Sequence, residues 1–211
     1  MQTDTKINKK VNKKANTVNK ANKQKRLFIT GIPASGKTTL ATKLERELNA
    51  IVVNLDDVRD TMKNTEKYEK WISFYFNKDE EKYFSENSPD DRWQDLVDQS
   101  EAFFDVFKNE IDKYENEKQI VIFECVNLLP HLAHRYLDFP GVVLLGESYE
   151  TILERNKKDP RWGHTEILQE IEARDFFYEQ GSRYKSEAKK YNYPCFNSSD
   201  EAFEYCLNLL K

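Results

Sequence analysis

Two glycines, a lysine and a threonine stand close together in residues 26–39, which read RLFITGIPASGKTT. Glycines at Gly31 and Gly36 let the backbone curl until consecutive N–H groups point at phosphate oxygens, and the start of a helix adds a positive dipole end. Lys37 can reach the β- and γ-phosphates of a nucleotide, and the Thr38 hydroxyl can bind Mg²⁺. These residue types therefore predict a binding site for a nucleoside triphosphate.

The spacing of these residues is G-x-x-x-x-G-K-[ST], the P-loop pattern. An apolar segment, residues 27–30, precedes the first glycine, and leucines at every fourth position from Leu40 onward indicate a helix after the lysine. A glycine-rich turn without a ligand is the alternative, but the complete motif between a strand and a helix argues against it. The predicted nucleotide-binding residues are Gly31, Ala34, Ser35, Gly36, Lys37, Thr38 and Thr39.

Further apolar segments alternate with helical patterns along the chain, at residues 51–54, 119–124, 142–146 and 193–196. Strands that alternate with helices predict an α/β fold, here a three-layer P-loop NTPase sandwich with a five-stranded parallel sheet. Residues 61–118 are aromatic and charged throughout, and Ser88 followed by Pro89 is a strong helix start. This stretch predicts a helical insertion that packs beside the sheet and covers the site.

Carboxylates follow two of the predicted strands. Asp56 and Asp57 come just after residues 51–54, so they should lie at the edge of the sheet where open α/β folds bind ligands. Either aspartate could instead cap the next helix, and both roles can coexist in adjacent residues. Glu124 ends the third predicted strand, where its carboxylate could hold Mg²⁺ through water or orient a substrate.

Charge is distributed unevenly over the 211 residues. The first 26 residues carry eight lysines and Arg26 against Asp4 alone, whereas the whole chain has a net charge of −4, so the rest of the chain is strongly acidic. An acidic body argues against a nucleic-acid surface that spans the protein, although a local basic groove would be compatible with it. Residues 1–25 are Lys/Asn-rich and of low complexity, which predicts a disordered tail that precedes one domain at 26–211.

The three cysteines show no metal-binding or redox spacing and suit a reducing cytosol; they are Cys125, Cys195 and Cys206. No apolar run is long enough to span a membrane, and the N-terminal residues lack the apolar centre of a signal peptide. These observations predict a cytoplasmic protein without a membrane partner, and they leave its oligomeric state open.

With these motifs the chain resembles the P-loop kinases, and most closely the polynucleotide 5′-hydroxyl kinases and zeta-toxin-type kinases. It is also similar over its length to the adenylate-kinase-like small-molecule kinases. These families have a D-x-x-R element after the second strand, here Asp56-Asp57-Val58-Arg59. The resemblance implies that Asp56 accepts the proton of the substrate hydroxyl and that Arg59 helps to hold the substrate.

The same resemblance implies an arginine-bearing helix and a lid. Arg155 would contact the transferring phosphoryl group, and Arg161 would belong to a cationic lid at residues 157–164. Other P-loop classes fit less well: the segments that resemble GTPase motifs occur in the wrong order, and neither the arginine finger nor the second region of an AAA module is evident.

The sequence thus predicts a phosphotransferase that uses ATP and Mg²⁺ and acts on a hydroxyl of a small molecule. Two alternatives stay open, namely a 5′-hydroxyl polynucleotide kinase and an ATP-hydrolysing switch or assembly protein without an acceptor. A basic groove that leads to Asp56 would favour nucleic acid, and an Asp56 turned away from the site would favour the switch. The residues after Glu124, Cys125 and Val126, differ from those of both kinase families, so the acceptor stays unidentified.

Overall fold

The structure is a computed structural model that describes residues 25–72, 79–160 and 163–211. Apart from Lys25, the predicted tail at residues 1–25 lies outside the described residues. The predicted lid residue Arg161 lies outside them as well, although its neighbours Pro160 and Gly163 are described.

In the described residues, five parallel strands form one sheet in the order β2-β3-β1-β4-β5. The strands are β1 (Arg26–Gly31), β2 (Ile51–Asn54), β3 (Val121–Glu124), β4 (Gly141–Leu144) and β5 (Cys195–Phe196). The glycine-rich loop therefore leaves the central strand, and the predicted α/β fold with five parallel strands is confirmed. The register places Glu124 beside both Ile29 and Asn54, so the ends of three strands meet at one edge.

Helices cover both faces of the sheet because side chains alternate along each strand. Leu27 and Ile29 point to one face, where they pack with apolar residues of α1 (Lys37–Leu48) and α9 (Ser199–Leu210). Phe28 points to the other face and joins a larger core that contains three phenylalanines of α4 (Pro89–Asp112). The glycine-rich loop thus sits between two packed layers that fix its ends.

The remaining helices surround the carboxyl edge of the sheet. They are α2 (Leu55–Asp60), a short 3₁₀ turn (Glu66–Tyr68), α3 (Glu80–Glu86), α5 (Pro130–Tyr136), α6 (Tyr149–Lys158), α7 (Glu166–Arg174) and α8 (Gly181–Tyr191). Within the described part of the chain, no helix combines the length and apolarity that crossing a bilayer requires.

The long helix α4 begins where the sequence predicts it. The Ser88 hydroxyl accepts a hydrogen bond from the backbone N–H of Asp91, and the Asp91 carboxylate accepts one from the backbone N–H of Ser88, which is a capping box. Its aromatic stripe is core, as predicted, since Phe103, Phe104 and Phe107 are buried. The helix is thereby anchored to the sheet while its first three turns face the carboxyl edge.

The stretch from Glu166 to Tyr191 is a continuous helical run with one irregular segment. A π-helical segment (Asp175–Gln180) joins α7 to α8, and Gly181 has an ordinary helical φ of −56°. A π segment inserts residues into a helix without breaking it, so side chains after it are rotated relative to those before it. Here the widened turn brings Asp175 and Phe176 to the carboxyl edge of the sheet.

The start of α2 corrects the prediction that Asp56 or Asp57 caps this helix. The capping residue is Asn54, whose side-chain oxygen accepts a hydrogen bond from the backbone N–H of Asp56 at 2.9 Å. Asp56 and Asp57 belong to the first helical turn, and Asp57 is exposed. Because Asn54 fills the cap, the carboxylate of Asp56 is available for other contacts.

Replacing Asn54 with alanine should lower the free energy of unfolding by about 1 kcal/mol, since the cap is lost. Asp57→Asn should change it by less than about 0.5 kcal/mol, because Asp57 is an exposed residue with no capping role. Urea denaturation of both variants measures the difference, and equal losses in the two variants would show that the cap has been assigned to the wrong residue.

Candidate active site

The loop between β1 and α1 has the curled backbone that the sequence predicts. Gly31 and Gly36 have φ angles of 131° and 96°, in the region that favours glycine. A Cβ at Gly31 would lie 2.0 Å from the carbonyl oxygen of Leu144 in β4, so only glycine fits there. Ala34 also adopts a left-handed φ, of 56°, which a small residue tolerates at modest cost.

Lys37 lies across this loop. Its side chain is 6% exposed, and its Nζ donates a hydrogen bond to the carbonyl oxygen of Ile32 at 2.9 Å. The Ser35 hydroxyl donates to the same oxygen at 2.7 Å. The loop therefore holds a cation inside its curve, where the phosphates of a nucleotide would bind.

Thr38 and Glu124 are in contact. The Thr38 hydroxyl lies 3.1 Å from each carboxylate oxygen of Glu124, which is 4% exposed at the end of β3. A hydroxyl and a carboxylate are the hard oxygen groups that Mg²⁺ prefers, and Mg²⁺ commonly takes only one or two protein ligands beside phosphate and water. The pair therefore has the chemistry of a Mg²⁺ site. The described residues contain no cluster of three or more His, Cys, Asp or Glu that could hold a metal alone.

Asp56 lies at the same edge of the sheet, with its side chain partly exposed. Its Oδ1 accepts a hydrogen bond from Arg59 Nη1 at 2.8 Å and one from the Cys125 thiol at 3.3 Å. Neither contact uses Oδ2, which has no hydrogen-bond partner among the described residues. The carboxylate is thus held through one oxygen while the other is open to a ligand.

Arg59 is buried and is fixed from several sides. Its guanidinium contacts Asp56, Asp60 and the side-chain oxygen of Asn127, with the last of these at 3.2 Å. Asn127 is itself fully buried, and its amide donates to Gln99 at 3.0 Å and to Ser100 at 2.9 Å. These bonds link α2, the segment after β3 and α4 into one polar network.

The sequence reasoning missed Asn127 and Gln99. The available signal was a polar residue among apolar neighbours: Asn127 precedes two buried leucines, and Gln99 and Ser100 interrupt the apolar stripe of α4. A buried amide requires hydrogen-bond partners, so such an interruption indicates a polar network inside the protein.

Arg155 reaches the glycine-rich loop from α6. Its Nη1 donates a hydrogen bond to the carbonyl oxygen of Ala34 at 2.9 Å, and its Nη2 lies 3.3 Å from a carboxylate oxygen of Glu147. The guanidinium is also close to Gly36, because a Cβ added there would lie 3.7 Å from Nη1. The structure therefore brings Arg155 to the loop, and its contact with the transferring phosphoryl group stays a prediction.

A single cavity of about 700 Å³ joins these groups. Of the residues predicted for the site, those that line it are Ala34, Gly36, Lys37, Thr38, Thr39, Asp56, Arg59, Glu124 and Arg155. Gly31 and Ser35 belong to the loop but lie beneath this lining. The cavity continues from the loop to a part lined by α2, α3, α4 and the π segment, which we call the acceptor pocket.

An ion pair that the sequence did not reveal crosses the acceptor pocket. Arg92 of α4 contacts Asp175 of the π segment through Nε at 2.8 Å and Nη2 at 2.7 Å, and both side chains are largely buried. The Gln180 amide donates to the second Asp175 oxygen at 2.9 Å. Arg92 and Asp175 are 83 residues apart, so no local pattern could have paired them.

Tyr83 of α3 forms a second contact in the acceptor pocket. Its hydroxyl donates a hydrogen bond to Asp95 Oδ2 at 3.0 Å. Burial, and next the negative charge of Asp95, raise the pKa of Tyr83 well above its usual value. Tyr83 therefore keeps its proton and acts as a donor at neutral pH.

A family model described as AAA domain, AAA_18, matches residues 27–176. The sequence lacks an evident second region of an AAA module, and the matched segment instead contains the P-loop, the D-x-x-R element and Arg155. No curated protein matches the chain.

Solved structures are similar to this chain at low sequence identity. TT1252 from Thermus thermophilus is 17% identical with a TM-score of 0.51, covering 89% of this chain and 96% of its own. Deoxyadenosine kinase from M. mycoides with bound dATP is 14% identical with a TM-score of 0.49, covering 87% and 97%. Shikimate kinase from Acinetobacter baumannii in complex with shikimate is 15% identical with a TM-score of 0.49, covering 88% and 92%.

The contact between Cys125 and Asp56 can be tested by labelling. Burial, and next the charge of Asp56, raise the pKa of the Cys125 thiol well above its usual value. Because the thiolate is the reactive form, a raised pKa lowers the reactive fraction at pH 8. We expect iodoacetamide to label Cys125 more than about 10-fold more slowly than the partly exposed Cys195, as measured by mass spectrometry of peptides. Equal rates in the folded protein would contradict the buried contact, and equal rates in denaturant serve as the control.

Proposed function

The chain belongs to the AAA_18 family and has the fold of the P-loop kinases, and we propose that it transfers the γ-phosphate of ATP to a hydroxyl of a small molecule. The observation that carries this proposal is the position of Asp56. Asp56 and the glycine-rich loop line one cavity, and Asp56 Oδ2 has no hydrogen-bond partner among the described residues. A hydroxyl bound there would lie between a carboxylate and a bound triphosphate.

The nucleotide side of the site supports binding and charge neutralisation. The curled backbone offers N–H groups to the phosphates, and Lys37 and Arg155 add positive charge at the loop. Phosphoryl transfer spreads negative charge over the equatorial oxygens, so these groups stabilise the transition state more than the ground state. Mg²⁺ held by Thr38, with Glu124 as an outer ligand through water, would neutralise charge on the β- and γ-phosphates.

The acceptor side supports activation of the hydroxyl. Asp56 Oδ2 accepts a hydrogen bond from the acceptor hydroxyl and takes its proton as the new O–P bond forms and the bond to the β-phosphate oxygen breaks. Arg59 and Cys125 hold Oδ1, which fixes the direction of Oδ2. The predicted role of Arg59 in holding substrate thus becomes, in this proposal, a role in positioning Asp56.

The same observations weigh against the two alternatives. A 5′-hydroxyl polynucleotide kinase needs cations along a groove that leads to Asp56, but the arginines of the acceptor pocket, Arg59 and Arg92, already contact carboxylates. An ATP-hydrolysing switch without an acceptor would be favoured by an Asp56 turned away from the site, whereas here Asp56 lines the cavity. Transfer to a small molecule therefore fits the site best.

The domain assignment and the location of the protein are part of this proposal. The helices of residues 61–118 would form one wall of the acceptor pocket, and residues 157–164 with Arg161 would form a lid over the nucleotide. The described cysteines are free thiols, which supports a reducing, cytoplasmic location.

Asp56→Asn tests the role of Asp56 as a base, because the substitution keeps the size of the side chain and removes its basicity. Transfer of label from ATP to a panel of hydroxyl compounds should fall by roughly 10²-fold, while ATP affinity changes by only a few-fold. Lys37→Ala should abolish ATP turnover with the fold intact. This variant is the inactive reference for the transfer assay.

Asp57→Asn is the matched control for Asp56→Asn, since it makes the same change one residue away on the exposed side of α2. It should leave transfer unchanged. Loss of transfer in Asp57→Asn alone would mean that the wrong carboxylate has been chosen. Unchanged transfer in both variants would favour the ATP-hydrolysing switch.

Arg155→Ala should lower the rate of transfer more than it weakens ATP binding. The guanidinium lies at the loop, and its interaction with the transferring group strengthens as charge develops there. Glu154→Ala on the same helix is the control, since Glu154 is exposed and does not line the cavity. Single-turnover rates and ATP affinities of both variants are compared, and an equal loss of rate and affinity in Arg155→Ala would indicate ground-state binding alone.

A further inference from the structure

The acceptor pocket contains two arginines, Arg59 and Arg92, and both are already paired with carboxylates of the protein. Arg92 contacts Asp175 through two nitrogens, donates to the carbonyl oxygen of Asn87, and lies over the ring of Phe84 at 5.0 Å. Arg59 contacts Asp56, Asp60 and Asn127. An acceptor with a carboxylate or phosphate would have to displace one of these buried contacts before it could pair with either arginine.

Carboxylates outnumber cations in the described lining of the acceptor pocket. The carboxylates are Asp56, Asp60, Glu80, Asp95 and Asp175, and the cations are Arg59 and Arg92, so the described lining carries a net charge of −3. A partly enclosed pocket strengthens electrostatic interactions because less water screens them. Such a pocket repels an anion and attracts a cation.

Asp95 is the carboxylate of this pocket with room for a new partner. It is half-buried, it accepts a hydrogen bond from the Tyr83 hydroxyl, and it forms no ion pair with a cation among the described residues. A carboxylate at this depth is stabilised by a positive partner, and none of the described side chains supplies one.

Gln180 is an independent indication of a ligand that donates hydrogen bonds. Its amide nitrogen donates to Asp175, whereas its side-chain oxygen has no partner among the described residues although that atom is buried. Gln180 also lines the pocket. A buried acceptor without a donor is costly, and a ligand amine or hydroxyl could supply the missing donor.

We propose that the acceptor is an amino alcohol or amino sugar, whose protonated amine pairs with Asp95 while one of its hydroxyls faces Asp56. This inference rests on the proposed kinase function and adds to it the charge class of the acceptor. Asp175 is a specificity residue in this arrangement, because it neutralises Arg92 and thereby removes the binding partner of an acidic acceptor.

The test uses compounds that share a hydroxyl skeleton and differ in one charged group. Glucosamine, glucose and glucuronate form one set, and serinol, glycerol and glycerate form another. Each compound is titrated by calorimetry into the full chain with Mg²⁺ and a non-hydrolysable ATP analogue. We expect the amine of at least one set to bind about 10-fold or more tightly than the matching acid, the scale of a hydrogen bond to a charged group.

Variants then locate the effect. Asp95→Asn should remove most of the preference for the amine, whereas Asp98→Asn, the same change on an exposed part of α4, should retain it. Asp175→Asn should improve binding of the acid, because Arg92 loses its partner. Melting temperatures establish that each variant is folded, and the ranking of amine against acid in the unaltered protein is decisive without any variant.

Acid binding that equals or exceeds amine binding in the unaltered protein would overturn the inference, as would the absence of measurable amine binding in both sets. An amine preference that persists in folded Asp95→Asn would overturn the role of Asp95. Label transfer from ATP, measured in parallel, separates the two proposals. Transfer to acids alone would overturn this inference and leave the kinase proposal standing. Amine binding without any transfer would support the charge class of the ligand and count against the kinase proposal.

Discussion

The close approach of Gly31 to the carbonyl oxygen of Leu144 is the constraint on which the site depends. No Cβ fits between β1 and β4 at this point, and the next residue, Ile32, donates its backbone N–H to the same oxygen at 3.1 Å. This bond fixes where the chain leaves the sheet and begins to curl. The positions of Lys37, Thr38 and the carbonyl oxygen of Ala34 follow from it, and so do their contacts with Ile32, Glu124 and Arg155.

A second constraint is that buried polar groups must be satisfied. Arg59 enters the protein between Asp56 and Asn127, and Asn127 in turn requires the side chains of Gln99 and Ser100. This network joins the D-x-x-R element to α4 through hydrogen bonds, which have a more specific geometry than apolar contacts. The orientation of Asp56 therefore depends on Gln99 and Ser100, which lie more than forty residues further along the chain.

Charge pairing inside the cavity gives its two ends different characters. At the loop, Lys37 and Arg155 donate hydrogen bonds to backbone carbonyl oxygens, and Arg155 also contacts Glu147. These cations and the N–H groups of the curled loop favour phosphates at this end. In the acceptor pocket, the arginines contact carboxylates, and carboxylates are in excess. The loop end of the cavity therefore favours a polyanion, and the acceptor pocket does not. This difference in charge orients two substrates relative to each other without any large movement of the fold.

The sequence by itself determined the features that local rules govern. Strand and helix periods predict the parallel sheet, the glycine spacing predicts the loop, and Ser88 with Pro89 predicts the start of α4. The position of Glu124 at a strand end was equally local. These predictions succeed because each depends on residues within one or two turns of the chain.

Only the tertiary structure decided which side chains meet. Arg92 of α4 pairs with Asp175 of the π segment 83 residues away, and Arg155 reaches a loop 121 residues away. Each outcome depends on the free energy of packing and hydrogen bonding between segments that are distant in sequence. Propensity and spacing contain no information about such approaches, so the loop could be predicted from the sequence while the acceptor pocket could not.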